Sequence, residues 1–252
     1  IDMLHVTFIR PYAVIALVTT ARQHHTRTGQ PLTLTNTPLR VHQYLERVDL
    51  FRHLGDIIRT ETTLTELFDR DQPNPKLLEL TPITGTNDML RVITAAERIF
   101  AFWLHVRNLR RLMSVLSEIC ANAYQHSGSS TGVVMIQTHE ATSKDQVRVR
   151  VAIGDVGIGV RGSLSARFGE IEPNTLGYLQ QAMNGRTSRH TGRGGLGLRV
   201  VQQTVGEGGG YLWLRSEDAA VLSDGVGANT GYEDLAMVPG TQLSVDFHAP
   251  LR

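Results

Sequence analysis

The chain has 252 residues, enough for one large or two modest domains, and its 41% hydrophobic and 19% charged content is that of a globular protein with a sizeable core. A formal net charge of +1 removes any compositional case for nucleic acid or an anionic membrane as partner. The single cysteine, Cys120, excludes an intrachain disulfide framework and suits a reducing compartment, and no apolar run reaches the roughly 18 residues of a membrane helix.

In chain order, Ile1 to Arg10 lacks the basic-then-apolar order of a secretory leader, so a cytoplasmic location is expected. The chain starts without methionine, and its true start is expected upstream. Residues 3–9, MLHVTFI, read as a short strand. Pro11 to Arg22 reads as a helix with proline in its first turn. PLTLTNT after the Gly29 turn alternates like a strand, and 39–54 carries Val41, Tyr44, Leu45, Val48 and Phe51 at helical spacing. Residues 60–88, with Pro73, Pro75 and Pro82, mark a junction that holds a short leading strand at Leu77 to Leu80. The strongest helix runs from about Val106 to His126, with one apolar stripe that includes Leu109, Leu112, Leu116, Ile119 and Ala123. GVVMIQT and QVRVRVAI follow as strands; in the second, Val147, Val149, Val151 and Ile153 alternate with Arg148 and Arg150, as in a sheet with one buried and one wet face. Later strands are expected at 211–216, 220–223 and 241–248, the last two separated by a Gly/Asp/Asn-rich loop. Helices followed by antiparallel strands predict an α+β sandwich.

Three segments of the second half carry chemistry. Glu118, Asn122 and His126 step by four along one side of the long helix. A carboxylate and an amide so placed can position a water and offer oxygen to a hard cation, although polar residues beside an apolar stripe are also an ordinary solvated face. Asp155, with Gly157 and Gly159, follows the strongest strand. A carboxylate fixed there can accept a hydrogen bond from an exocyclic amine while the glycines let a flat ligand approach; an Asp-Gly turn is the plainer alternative. Arg193, Gly194, Gly195, Leu196 and Gly197 lead into a helix, where free N–H groups and the helix dipole suit phosphate. The run fits neither a P-loop nor a Rossmann fingerprint, and by itself a flexible linker reads as well.

In order and spacing the three segments resemble the N, G1 and G2 boxes of the GHKL ATPases, the superfamily of histidine-kinase catalytic domains, anti-sigma-factor kinases and type II topoisomerases. The resemblance covers residues 86–252 and implies a sandwich of a mixed, mostly antiparallel sheet with helices on one face. It implies ATP and Mg²⁺ as cofactors, Glu118 as the base that activates water or a hydroxyl, and Asn122 as the Mg²⁺ ligand. It makes Asp155 the adenine-reading carboxylate, Gly157 and Gly159 the shapers of its pocket, and Gly194, Gly195 and Gly197, with Arg193 and Leu196, the phosphate end of a lid. Thr241, after Gly240, lies near the adenine in this scheme, and His126 is a further phosphate contact or a helix cap. Residues 160–193 become a mobile lid whose Arg186, Arg189 and Arg193 are candidates for the γ-phosphate or for solubility alone.

Residues 1–58 resemble a STAS domain, the fold of anti-sigma-factor antagonists, joined through 59–85 to the ATPase. The phosphoacceptor hydroxyl expected after the first strand is absent from Phe8-Ile9-Arg10-Pro11-Tyr12-Ala13, so a fixed docking or dimerisation surface is expected in place of a phospho-switch. Together these imply a regulator that is an ATPase or a serine/threonine kinase of the anti-sigma-factor type, with a STAS-like or sigma-factor-type protein as partner, no nucleic acid or membrane partner, and a homodimer as an option. The alternative is a non-catalytic, nucleotide-gated interaction module. His105 is the one remote histidine acceptor upstream, and its place on an amphipathic segment argues against histidine autophosphorylation.

Overall fold

Proline at the first turn of a helix removes an N–H that has no partner there, and Pro11 opens α1 (Pro11–Thr28), which Gly29 ends in the left-handed conformation at φ 68°. The computed structural model describes residues 1–61, 76–125, 132–140, 145–187 and 197–250. After α1 come β1 (Leu32–Leu34), α2 (Leu39–Arg47), α3 (Leu50–Leu54), β2 (Ile58–Thr60), β3 (Leu77–Ile83), α4 (Thr86–Trp103) and α5 (Val106–Gln125). The second half runs β4 (Gly132–Glu140), β5 (Gln146–Gly154), α6 (Gly159–Phe168), α7 (Thr175–Met183), α8 (Gly197–Glu207), β6 (Tyr211–Glu217), β7 (Ala219–Ser223), β8 (Asn229–Tyr232) and β9 (Val238–Pro250).

Several sequence expectations need correction. Residues 3–9 are not a strand: Met3 and Ile9 are buried and Val6 packs against the same core, a spacing of three that no strand face can supply. The helix expected over 39–54 breaks at Asp49, whose φ of 61° ends α2 and lets α3 start in a new direction. The polar loop before the last strand contains β8, an edge strand with every residue exposed, which pairs with β7.

Seven strands form one sheet in the order β3-β4-β5-β9-β6-β7-β8, and every pairing in it is antiparallel, where a mixed sheet was expected. Parallel pairing among the described residues is confined to the small β1–β2 ladder and a single Asp2–Thr35 bridge. Val147, Val149, Val151 and Ile153 of β5 face α4, α5, α7 and α8, which with β6 and β9 build the larger core. Helices were expected on that face alone. The opposite face is covered as well, because β4 is apolar on both sides: Val134 and Ile136 point to the first core, Val133 and Met135 to a second.

That second core joins α1, α2, α3, β1 and β2 to Leu77, Leu80, Val133, Met135 and Ala152 of the large sheet. What residues 1–58 build is therefore a helical cover with a short parallel ladder, continuous with the sheet's back; a STAS-like domain is not shown. α1 is pinned by polar contacts too. The Trp213 indole N–H donates to the Tyr12 hydroxyl (2.8 Å), Tyr12 donates to Gln242 Oε1 (3.0 Å), and Gln242 Nε2 donates to Thr19 Oγ1 (2.6 Å). Gln242 has no exposed surface, so these bonds satisfy a buried amide.

Beyond α1 the back face is held by charge. Arg148 grips Asp246 through Nε and Nη2 at 2.6 and 2.8 Å, Arg150 adds Nε at 2.9 Å, and the Tyr211 hydroxyl donates at 3.2 Å. Burial opposes ionisation of Asp246, but the two guanidinium groups outweigh it and hold its carboxyl below the ordinary value. Stability from this group is thus present above the unfolded carboxylate pKa and lost as pH falls through the lower folded value. Asp246→Asn is expected to lower the unfolding free energy at neutral pH by about 3 kcal/mol, and the deficit should shrink on acidification; urea titrations at about pH 7 and pH 3 measure both.

Candidate functional site

α5 carries its apolar stripe, with Leu112, Val115, Leu116, Ile119, Cys120 and Ala123 buried, into the large core. Glu118 and Asn122 flank that stripe one turn apart, half-buried, with side chains on the same side of the helix. Cys120, between them in sequence, points into the core, where burial pushes its thiol up to about 12; it is inert packing.

Across from α5, β5 ends at Gly154 and delivers Asp155, which is 4% exposed. Its backbone N–H donates to Thr241 O at 3.0 Å, and its Oδ1 accepts the Gly157 N–H at 2.8 Å. Burial raises the Asp155 carboxyl from 3.8 to about 6, against the hydrogen bonds from Gly157 and Thr241 and the charge of Arg22.

Two glycines make this corner possible. Gly240 has φ 74°, and a Cβ there would lie 2.2 Å from the Asp155 carbonyl oxygen and 2.6 Å from Oδ1. Gly159, at φ 69°, starts α6 where a Cβ would meet Ser216 Oγ at 2.7 Å. Ser216, which sequence reasoning missed, ties the corner together: its hydroxyl accepts the Val160 N–H at 3.0 Å and donates to Gly240 O at 2.8 Å. A serine inside an alternating strand carries no signal of that role.

Glu118, Asn122, Asp155, Gly159 and Thr241 all open on one cleft of about 840 Å³, counted to the solvent, within the range of small-molecule sites. Its apolar walls, among them Ile119, Leu164, Leu198, Leu214 and Leu243, were invisible in the sequence because each sits in a pattern that equally marks core. Gly157 shapes the site through its N–H to Asp155. Gly197 is the first residue of α8. His126, Arg189, Arg193, Gly194, Gly195 and Leu196 lie outside the described residues.

Through Thr187, the segment 160–193 expected as a lid contains two helices. Residues 159–183 form α6 and α7, packed on each other through Leu164, Tyr178 and Ala182. Asn174 caps α7 by accepting the Gly177 N–H at 2.9 Å. Arg186 lines the cleft, with its guanidinium carbon 5.3 Å from the Phe168 ring centroid.

Chemically, one end of the cleft offers a buried hydrogen-bond acceptor and apolar walls, and α5 offers an amide and a carboxylate. No three His, Cys, Asp or Glu side chains converge as a metal cage among the described residues. The donor set of Asn122 with Glu118 fits Mg²⁺, which takes one or two protein oxygens and completes its shell with phosphate and water.

Asp155 should cost the folded state stability. Its folded pKa is raised, so its contribution is fully favourable below the unfolded value near 4 and is lost as pH rises through about 6. Asp155→Asn is therefore expected to gain on the parent by on the order of 3 kcal/mol between about pH 4 and pH 7.5, measured as the pH dependence of the difference in unfolding free energy.

Residues 107–248 match the family described as histidine kinase-, DNA gyrase B-, and HSP90-like ATPase, a span that contains both walls of the cleft. A search of characterised proteins found no match to the chain.

Proposed function

Because this chain belongs to the histidine kinase-, DNA gyrase B- and HSP90-like ATPases, whose shared activity is ATP binding and ATPase-type chemistry, we propose that it holds Mg·ATP between Asp155 and α5 and transfers the γ-phosphoryl group to water or to a protein hydroxyl. The observation that carries this reading is the single cleft onto which Asp155, Asn122 and Glu118 all open.

The Asp155 carboxylate, which accepts the Gly157 N–H at Oδ1, has further lone pairs to accept a hydrogen bond from the adenine amino group in this reading. Ile153, Leu214 and Leu243 supply apolar surface for the base, and Thr241 adds a hydroxyl beside the carboxylate. Asn122 would hold Mg²⁺, and the cation would supply charge stabilisation on the phosphates. Glu118, one turn earlier, orients the attacking water or hydroxyl and takes its proton, the smaller contribution in a reaction governed by positioning and electrostatics. Arg186, on the cleft wall, meets phosphate oxygens in this reading, as guanidinium suits them. α8 starts at Gly197 and its Leu198 lines the cleft, so in this reading the N–H groups of its first turn serve the phosphates, as helix termini favour anions.

The acceptor in this reading is water or a serine or threonine of a partner regulator, as in the anti-sigma-factor kinases, and not a histidine of this chain. Incubation with Mg²⁺ and labelled ATP, alone and with a lysate of the source organism, separates the outcomes: free phosphate marks an ATPase, labelled partner a kinase, and acid-labile label on the chain itself overturns the choice of acceptor.

Glu118→Ala should lower turnover by roughly 10²- to 10⁴-fold and leave ATP affinity within a few-fold of the parent; equal turnover in both proteins removes Glu118 from the chemistry. Asp155→Ala should cost ATP about 1.5–3 kcal/mol of binding, roughly tenfold to hundredfold, and leave GTP unchanged in parallel calorimetric titrations. ATP binding equal to the parent's would move the base elsewhere.

A further inference from the structure

Register partners on an antiparallel sheet point to the same face. Arg150, Asp246 and Tyr211 form one such row across β5, β9 and β6, and Ser244, Trp213 and Leu222 form the next across β9, β6 and β7. Both rows face the back of the sheet and make the floor of a trough of about 940 Å³, counted to the solvent. The second core takes its sheet residues from β3, β4 and β5, so it stops beside this floor. Phe8 and Arg10, with Tyr12 in the first turn of α1, form the wall. That wall has a fixed place, because α1 is seated on the strands. A Cβ at Gly154 would lie 2.5 Å from Ile15 Cγ2, and Tyr12 and Thr19 both hydrogen-bond Gln242.

The polar tips of the aromatic lining are already engaged. The Trp213 indole N–H donates to Tyr12, Tyr12 donates to Gln242, and the Tyr211 hydroxyl donates to Asp246. The Trp213 ring meets Tyr12 edge-on at 6.3 Å between centroids and Tyr232 at 5.4 Å. Rings held in this way offer a guest π surface that needs little further ordering. Phe8 adds a ring that is 59% exposed.

Charge sets a second requirement. Two guanidinium groups, Arg148 and Arg150, share the single carboxylate of Asp246. Arg10 is exposed at the trough and has no acidic partner among the described residues. The first turn of α1, which follows it, holds no acidic side chain. Positive charge is therefore in excess beside flat apolar surface, and guanidinium both binds carboxylate or phosphate oxygens and stacks on planar groups.

We propose that this back-face trough is a second binding site, for a small planar anion whose ring system lies against Trp213 and Phe8 and whose carboxylate or phosphate meets Arg10. The trough shares no lining residue with the Asp155 cleft, and its role does not depend on what fills that cleft. Its size is that of a small-molecule site. An extended peptide would demand main-chain partners, which a floor of side chains does not present. Arg10 and the Ser244 hydroxyl suit a single anionic head instead.

The test uses the full chain, whose two tryptophans are told apart in a ¹⁵N spectrum by a Trp103→Phe variant. The Trp213 indole N–H resonance is followed during titration with 2-naphthoate, 2-naphthyl phosphate, the uncharged 2-naphthamide and the non-planar cyclohexanecarboxylate. It should shift saturably with the naphthyl anions, the tighter of the two naming the head group. The amide and the cyclohexane acid should bind about tenfold more weakly or worse. Arg10→Gln should weaken the anions by about tenfold and leave 2-naphthamide unchanged, and Arg10→Lys should restore most of the loss. Phe8→Ala should weaken all three naphthyl probes. Both positions are exposed, so these variants should keep the parent's dispersed spectrum.

A Trp213 resonance unmoved by both anions overturns the proposal. A shift that survives Arg10→Gln and Phe8→Ala at the parent's affinity puts the probe elsewhere and overturns it as well. A response to the acidic peptide acetyl-Glu-Trp-Glu-amide, with none to the naphthyl anions, would make the trough a protein-docking surface and equally end the small-anion assignment.

Discussion

A carboxylate with 4% of its surface exposed is an expensive feature, and much of the architecture around Asp155 is what makes it tolerable. β5 carries it to the floor of the cleft, and β9 accepts its backbone N–H. The chain then turns at Gly157 so that an N–H points back at Oδ1. Gly240 passes so close that any side chain there would strike it. Ser216 fastens the start of α6 to the same strand. Each of these contacts is modest alone, but together they fix the backbone around Asp155 and give its Oδ1 a donor. An ionisable group retained at such a position is what the proposed recognition site requires, at the expense of stability.

The parts of this arrangement that were legible in the sequence are those with strict local geometry. The four-residue step from Glu118 to Asn122 holds on any α-helix, so their shared side followed without coordinates. Asp155 was legible because the alternation from Val147 to Ile153 defines a strand and the glycines define where it stops. The convergence of these segments on one cleft is a tertiary fact that periodicity alone does not contain; their order and spacing, set beside a known family, supplied the expectation.

The misreadings have equally local causes. Met3, Val6 and Ile9 look like a strand when counted as apolar residues and do not when their spacing is respected. β8 lacks apolar alternation and exists because β7 offers it an open edge. Asn174 followed by Thr175 is a readable helix start, and in residues 160–187 the family expectation of a lid displaced that local signal. The four consecutive apolar residues Val133 to Ile136 announce a strand buried on both faces, yet nothing in them says that α1 is what covers the second face.

The hollow at Gly154, filled by Ile15, also bears on how such a protein can diverge. The matched segment starts at Arg107, but the underside of its sheet is completed by a helix that comes before it in the chain. A graft of residues 86–250 onto a foreign leader would leave Val133, Met135 and Ala152 bare and an empty socket beneath the strand that ends at Gly154. Recombination at this boundary is therefore permissible only when the incoming segment brings its own knob for that socket. Among descendants of such a chain, the residue at 154 and the one at 15 should drift as a pair, a small side chain on the strand matched to a large one on the helix.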